Sequence, residues 1–255
     1  MTIKFQNALV RKANKNIVRA LSSRNLHPSF DKINNEHSQY VKALIDSGLN
    51  VSTLESLDDF PDSIFVEDPG LTYKNNYISL RPADKTRYGE SAIMAKEVKK
   101  LFDDIYTVQN GYIEGGDILR INDHFIVGLS SRTNKEGAEN LLGILNSLGA
   151  SIEIAKTPKD ILHFKSECSL IDEDTILLTT KMLENNIFKK NYRFFEIPKG
   201  EEIAANSLRI NNNLLIPSGC PKTYDMLSKN YNIISLNVNE VYKVDAGLSC
   251  MSLRW

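Results

Sequence analysis

The chain has 255 residues, with 31 Lys and Arg against 32 Asp and Glu for a net charge of −1, and it is 42% hydrophobic and 25% charged. That length and composition describe a globular chain large enough for one α/β domain spanning 1–255 with an ample core. Charge this balanced offers no bulk field to recruit nucleic acid or an anionic membrane, and no uncharged apolar stretch approaches the roughly 18 residues of a membrane helix.

The first segment, "FQNALVRK", reads as a strand, followed by the helix "NNEHSQYVKALIDSG" and the strand "NVSTLE". "SIFVEDPGLTYKNNYISLRP" then gives two apolar strands joined by a Lys74-Asn75-Asn76 turn, with "GESAIMAKEVKKLF" helical and "DIYTV" a strand. The same order returns in "GYIEGGDILRINDHFIVGL", turning at Asn122-Asp123, then the helix "NKEGAENLLGILNSLG" ending on Gly149 and the strand "SIEIAK". A third unit runs from "HFKSECSLIDEDTILLTT" through the helix "KMLENNIFKK" to the strand "FFEIP". A fourth runs from "EIAANSLRINNNLLIPSG" through "PKTYDMLSKN" to "YNIISL". The remaining "VDAGLSCMSLRW" completes a fifth unit with the N-terminal segments.

A period of roughly 40 to 50 residues signals units that bury one another's apolar faces. The expected architecture is therefore an α/β propeller of five units with pseudo-fivefold symmetry, closed by the N- and C-terminal segments in one unit. In such a ring the residues opening each unit meet on the axis. They are Glu67 and Asp68, Glu114 and Asp117, His163 and Lys165, Asn206, and Cys250. Read alone, Cys250 is a buried thiol. Read with a histidine and several carboxylates converging on it, it takes the form of a nucleophile with a base and an orienting group. Within the strand pattern "SIFVEDPGL", a period of two sends one of the two carboxylates inward. A buried carboxylate needs a cationic partner; with none obvious in the chain, a cationic ligand is expected.

Other chemistry finds little support. "EGGD" lacks the GxxxxGK spacing of a phosphate loop, so no cofactor is expected. Cys168, Cys220 and Cys250 are odd in number, far apart and without CxxC or paired histidines. That argues against a disulfide framework or a metal site and for a reducing, cytoplasmic setting. "MTIKFQNALVRK" has no apolar h-region of a signal peptide. His27 before Pro28, His37 on a polar helix face and His124 in a hairpin turn are assigned structural or solvent roles, and Cys220 at a helix start is at most mildly reactive.

Seven segments, "FPDSIFVEDP", "RPADKTRYGES", "GYIEGGDIL", "SSRTNKEGA", "LHFKS", "AANSL" and "GLSCMSLRW", fall in one order that resembles the bacterial dimethylarginine dimethylaminohydrolases. That family lies within the guanidino-modifying pentein superfamily, whose fold is a five-unit α/β propeller. The resemblance covers nearly the whole chain. It implies Cys250 as nucleophile, His163 as acid and base, and Glu114 as the carboxylate orienting it. Glu67 and Asp68 match the guanidinium holders, while Asp62, Arg87 and Arg132 match positions that bind the amino-acid end of the substrate. Ile17, from the covering loop, and Val244 are added as apolar contacts. Two departures stand out: Ala246-Gly247 where the family has two glycines, and Arg11-Lys12-Ala13-Asn14 at its usual Arg-Thr-Pro-Ser-like entry. At Lys165 the related arginine deiminases and amidinotransferases carry an aspartate.

The resemblance implies hydrolysis of free Nω-methylated arginine to citrulline and an amine through a covalent S-alkylthiouronium. The partner is then a small molecule, with no nucleic acid and no membrane; a homodimer is left open. Two alternatives remain: a deiminase or other guanidino hydrolase on the same scaffold, and a non-catalytic binder of cationic amino acids. The intact Cys250, His163 and Glu114 set speaks against the second.

Overall fold

The computed structural model describes residues 3–188 and 192–255. Strand β1 (Asn7–Arg11) is followed by helix α1 (Phe30–Asp46) and β2 (Asn50–Leu54). The next unit is β3 (Gly70–Tyr73), β4 (Asn76–Ser79), α2 (Glu90–Glu97) and β5 (Asp104–Thr107). Then come β6 (Ile118–Ile121), β7 (His124–Leu129), α3 (Lys135–Ser147) and β8 (Ser151–Lys156). The third repeat is β9 (Cys168–Leu170), β10 (Thr175–Leu178), α4 (Thr180–Glu184) and β11 (Arg193–Glu196). The fourth is β12 (Leu208–Ile210), β13 (Asn213–Pro217), α5 (Pro221–Leu227) and β14 (Asn232–Leu236). A short α6 (Asn239–Tyr242), unforeseen in the sequence, precedes β15 (Leu253–Arg254).

These strands form five three-stranded sheets, each with one antiparallel and one parallel pairing around a middle strand. The split unit is real: β15 pairs antiparallel and β2 parallel with β1. Left-handed residues make the hairpin turns, Lys74 at φ 53°, Asn122 at 58° and Asn211 at 53°.

The ring closes because each middle strand is apolar on both faces. Leu9 packs toward the β3 unit while Ala8 and Val10 pack toward the β12 unit. Likewise Tyr77 and Ile78, Phe125 and Ile126, Leu177 and Leu178, and Leu214 and Leu215 divide between two cores. A strand's period of two thus feeds two neighbours at once, and five cores join five sheets end to end. Among the described residues no helix is long and apolar enough to cross a membrane.

Some local expectations change. Residues 63–69 are turns rather than a strand, so the inward orientation of Glu67 and Asp68 has another cause than strand alternation. The helix read over "KMLENNIFKK" is the short α4, and Lys189 and Lys190 lie outside the described residues. His37 is buried under α1, where burial pushes its imidazole down to about 4, and it does not face solvent. His124 begins β7 instead of sitting in the turn.

Candidate active site

Each unit presents its opening residues to the axis just before its first strand. Glu114 precedes a 3-10 turn, Gly115–Asp117, and His163 precedes another, Phe164–Ser166. Cys250 sits inside a third, Ser249–Met251. A cavity of about 30 Å³ is lined by Leu21, Asp62, Phe65, Asp68, Arg87 and Glu114, together with Arg132, Leu162, His163, Val244, Asp245, Ala246 and Cys250.

The histidine and its carboxylate are locked together. His163 Nε2 lies 2.7 Å from Glu114 Oε2, and the Ala83 N–H donates to Glu114 Oε1 at 3.0 Å. Burial alone would lower the imidazole pKa, but the Glu114 bond and the charges of Asp117 and Asp68 outweigh it and raise the group to about 9. Asp117 braces the adjoining backbone, accepting from the Phe164 N–H at 2.8 Å and from Ser130 Oγ at 2.6 Å. The "EGGD" glycines have a steric reason: a Cβ on Gly116 would stand 2.7 Å from the His163 ring.

The thiol is held by its own loop. The Gly247 N–H donates to Cys250 Sγ at 3.4 Å, and Asn206 braces the same segment by accepting from the Ser249 N–H at 2.9 Å. A Cβ on Gly247 would meet Asn206 at 2.5 Å, so glycine is required there, while alanine is accommodated at 246. Burial, then the negative charges of Glu67 and Asp68, push the Cys250 thiol up to about 12. The group is therefore a neutral thiol, in a cavity that the His163 imidazolium also lines.

Asp68 is the open acceptor of the cavity. Arg87 Nη1 donates to its Oδ2, and although burial opposes ionisation, the Arg87 charge holds the carboxyl below its ordinary value. Its Oδ1 is buried with no hydrogen-bond partner among the described residues. One ligand atom each from Asp68, Glu114 and His163 lie within 4.8 Å of one another, a spacing that a metal ion can bridge. The donor chemistry fits a metal poorly, because His163 is protonated through neutral pH and Asp68 already carries a guanidinium.

At the far end, Asp62 is buried and accepts weakly from the Leu21 N–H at 3.2 Å; burial, opposed by Arg87, pushes it up to about 6. Arg132 is partly exposed and approaches Glu114 Oε1 at 3.6 Å. Arg87 is more committed: Nε and Nη2 grip Glu90, and Nη2 also reaches the Asp62 and Phe65 carbonyls. Its clearest task here is to hold Asp68.

Two expected residues lie elsewhere. Ile17 belongs to a 3-10 turn, Lys15–Arg19, that points it into the core, and Leu21 is the residue of this loop that lines the cavity. Glu67 does not line the Cys250 cavity; it binds Lys165 Nζ and Arg254 Nη2 through Oε1 and Ser249 Oγ through Oε2. The expectation that the two carboxylates lack intramolecular cations is thus corrected for both. Asp245, unexpected at the site, holds the covering loop through Ser23 Oγ at 2.9 Å and Arg24 Nε at 3.1 Å.

A closed ring of five α/β units, with Cys, His and Glu buried where the units open, is the pentein architecture. The family described as "Arginine deiminase" matches residues 57–218. An N(G),N(G)-dimethylarginine dimethylaminohydrolase of Pseudomonas aeruginosa is 32% identical over 255 residues, covering 98% of this chain and 100% of that protein. Its namesake in Streptomyces coelicolor is 28% identical over 258 residues, covering 98% and 96%. The solved structure of the Pseudomonas aeruginosa enzyme, a cysteine-to-serine variant complexed with citrulline, superposes with a TM-score of 0.93 at 31% identity over 99% of this chain and 100% of that one. A cyanobacterial arginine dihydrolase domain, at 14% identity and a TM-score of 0.83, shares the fold. The chain belongs to the dimethylarginine dimethylaminohydrolase family.

Proposed function

We propose that this protein hydrolyses free asymmetric dimethylarginine and monomethylarginine to citrulline and dimethylamine or methylamine. The observation that carries this reading is the buried, unpartnered Asp68 Oδ1 in the cavity that holds Cys250, His163 and Glu114. A carboxylate oxygen so placed calls for an N–H donor with a positive charge, and a guanidinium supplies both.

The chemistry follows from the same groups. A guanidinium held on Asp68 brings its positive charge to Cys250, favouring the thiolate, and the thiol proton is released as the substrate binds. Sγ attacks the central carbon while His163 gives its proton to the departing amine, whose C–N bond breaks. The S-alkylthiouronium remains. His163, now neutral, takes a proton from water and the oxygen adds to the carbon; the C–S bond then breaks, the hydroxyl proton passes to solvent, and citrulline leaves with the thiolate restored. Glu114 fixes the imidazole's direction and favours its charged form.

Selectivity is supported by two features. Lys165 stands where the deiminases have aspartate, and its ammonium is turned to Glu67 outside the Cys250 cavity. Two N-methyl groups therefore leave no carboxylate unpaired at that position, which would cost roughly 1–3 kcal/mol or more. Arg132 and Asp62 suit the carboxylate and ammonium of a free amino acid, in agreement with the family's use of these positions. Three unpaired thiols fit a reducing cytoplasm.

The test compares kcat/KM for asymmetric dimethylarginine, monomethylarginine and arginine, with products identified by mass spectrometry. Both methylated forms are expected to exceed arginine, with arginine slow rather than excluded. Arginine equal to or better than both would move the chain to the deiminase reading.

A further inference from the structure

Behind the Cys250 pocket the axis opens into a second, larger cavity of about 120 Å³. Its charged lining among the described residues is one carboxylate, Glu67, against four cations, Arg120, Lys165, Arg209 and Arg254. Three of these come from one short pattern repeated in three units: Ile118-Leu119-Arg120, Ser207-Leu208-Arg209 and Ser252-Leu253-Arg254. Pseudo-symmetry thus carries each arginine to an equivalent place on an inner strand, β6, β12 or β15.

Two of the three are prepared in the same way. Arg120 Nε donates to the Asn122 carbonyl at 2.9 Å and Arg209 Nε donates to the Asn211 carbonyl at 3.1 Å, each two residues along in a left-handed turn. The Arg120 guanidinium stands 4.9 Å from the ring of Tyr73, whose hydroxyl donates to Asp123, and that of Arg209 stands 5.2 Å from the Tyr231 ring. Each plane is fixed by its Nε and by an aromatic face, which leaves terminal nitrogens for another acceptor. Among the described residues Arg209 Nη1 is buried without a hydrogen-bond partner, and so is the hydroxyl of Ser169, a residue 7% exposed on β9 that lines the same cavity. Lys165 and Arg254 are engaged with Glu67.

One guanidinium nitrogen of Arg209 and the Ser169 hydroxyl, both buried without partners among the described residues, beside a second arginine whose plane is fixed in the same way, describe a preorganised anion cradle. We infer that this rear cavity binds a small oxyanion, held by Arg120 and Arg209 with Ser169, at a site separate from the one that binds the guanidino substrate. The shared chemistry is that of phosphate and carboxylate; a fork of two arginines favours the tetrahedral dianion. The inference does not depend on the proposed hydrolysis.

Calorimetric titration of the full chain with inorganic phosphate tests it, with acetate as a second arm to separate the two oxyanion classes. One saturable site is expected, weakened roughly tenfold or more in Arg209→Gln and in Arg120→Gln, since a charge-assisted bond is lost in each. Arg132→Gln, in the front pocket, keeps the affinity within about twofold. Circular dichroism establishes that each variant is folded; should Arg209→Gln fail to fold, Arg120→Gln and Ser169→Ala decide. No saturable site for either anion, or a loss confined to Arg132→Gln, overturns the inference.

Discussion

The two ends of the axis are built from neighbouring residues yet carry opposite chemistry. Asp68, Glu114, His163 and Cys250 face the front pocket, while Glu67, Gly115, Lys165 and Ser249 line the rear cavity. Residues one or two apart therefore part company at the same wall, and Ser249 Oγ bonded to Glu67 at 2.9 Å is part of that wall. In front, carboxylates outnumber the arginines and one oxygen of Asp68 is open. Behind, cations outnumber the single carboxylate. The lesson is that a pseudo-symmetric ring delivers residues to the axis by position, and the identity of each residue decides which end does covalent chemistry.

If that division is right, the largest effects come from the front. Cys250→Ser is expected to lower kcat by on the order of 10⁴-fold or more while still binding citrulline, because a serine hydroxyl is a far weaker nucleophile than the thiolate the substrate induces. Steady-state rates and calorimetry check both halves; wild-type turnover in the variant would take Cys250 out of the reaction.

Next comes the proton-transfer pair. His163→Gly loses the donor for the amine and the base for water, typically about 10²–10⁴-fold. Glu114→Gln leaves the shape but removes the charge that lifts His163 to about 9. Its pH–rate profile should lose activity at a lower pH on the alkaline side than the wild type, and an unchanged alkaline limb would mean that Glu114 does not tune the histidine.

The same pair makes a smaller contribution to stability. His163 titrates near 6.5 when unfolded and near 9 when folded. Its bound proton stabilises the fold fully below pH 6.5, and the contribution fades as pH rises through 9; the shift corresponds to on the order of 3 kcal/mol. Denaturant unfolding of wild type and His163→Gln at pH 6 and pH 9.5 reads it as a difference between the two proteins that shrinks at the higher pH. A difference independent of pH would contradict the assigned shift.

The rear should be silent toward chemistry. Arg120→Gln is expected to leave kcat/KM within about twofold, since its guanidinium touches no group of the front pocket. A tenfold loss would mean that the wall between the two cavities transmits more than these contacts imply.

Much of this was readable from residues near one another in the chain. The turns at Lys74 and Asn122 and the repeated order of strands, helix and strand are legible in the sequence, and the period of that repeat indicates a ring of five. What escaped were partners joined only by closure of that ring. Lys165 meets Glu67 across 98 residues and Arg254 meets it across 187, so no local pattern could reveal that Glu67 already had its cations. Asp68 found Arg87 from only 19 residues away, but through a turn that strand periodicity had misread. Leu21 is not told from Ile17 by sequence, because only the 3-10 turn Lys15–Arg19 puts Ile17 into the core and leaves Leu21 at the cavity.

The central claim is that Cys250 carries the substrate carbon during turnover. Wild-type protein mixed with asymmetric dimethylarginine, quenched in acid on the millisecond scale and mapped by peptide mass spectrometry, tests it directly. The account predicts a transient adduct of substrate less dimethylamine on the peptide containing Cys250, rising before citrulline and absent from Cys250→Ser. Citrulline formed at full rate with Cys250 unmodified at every time point, or an adduct on another residue, would contradict it.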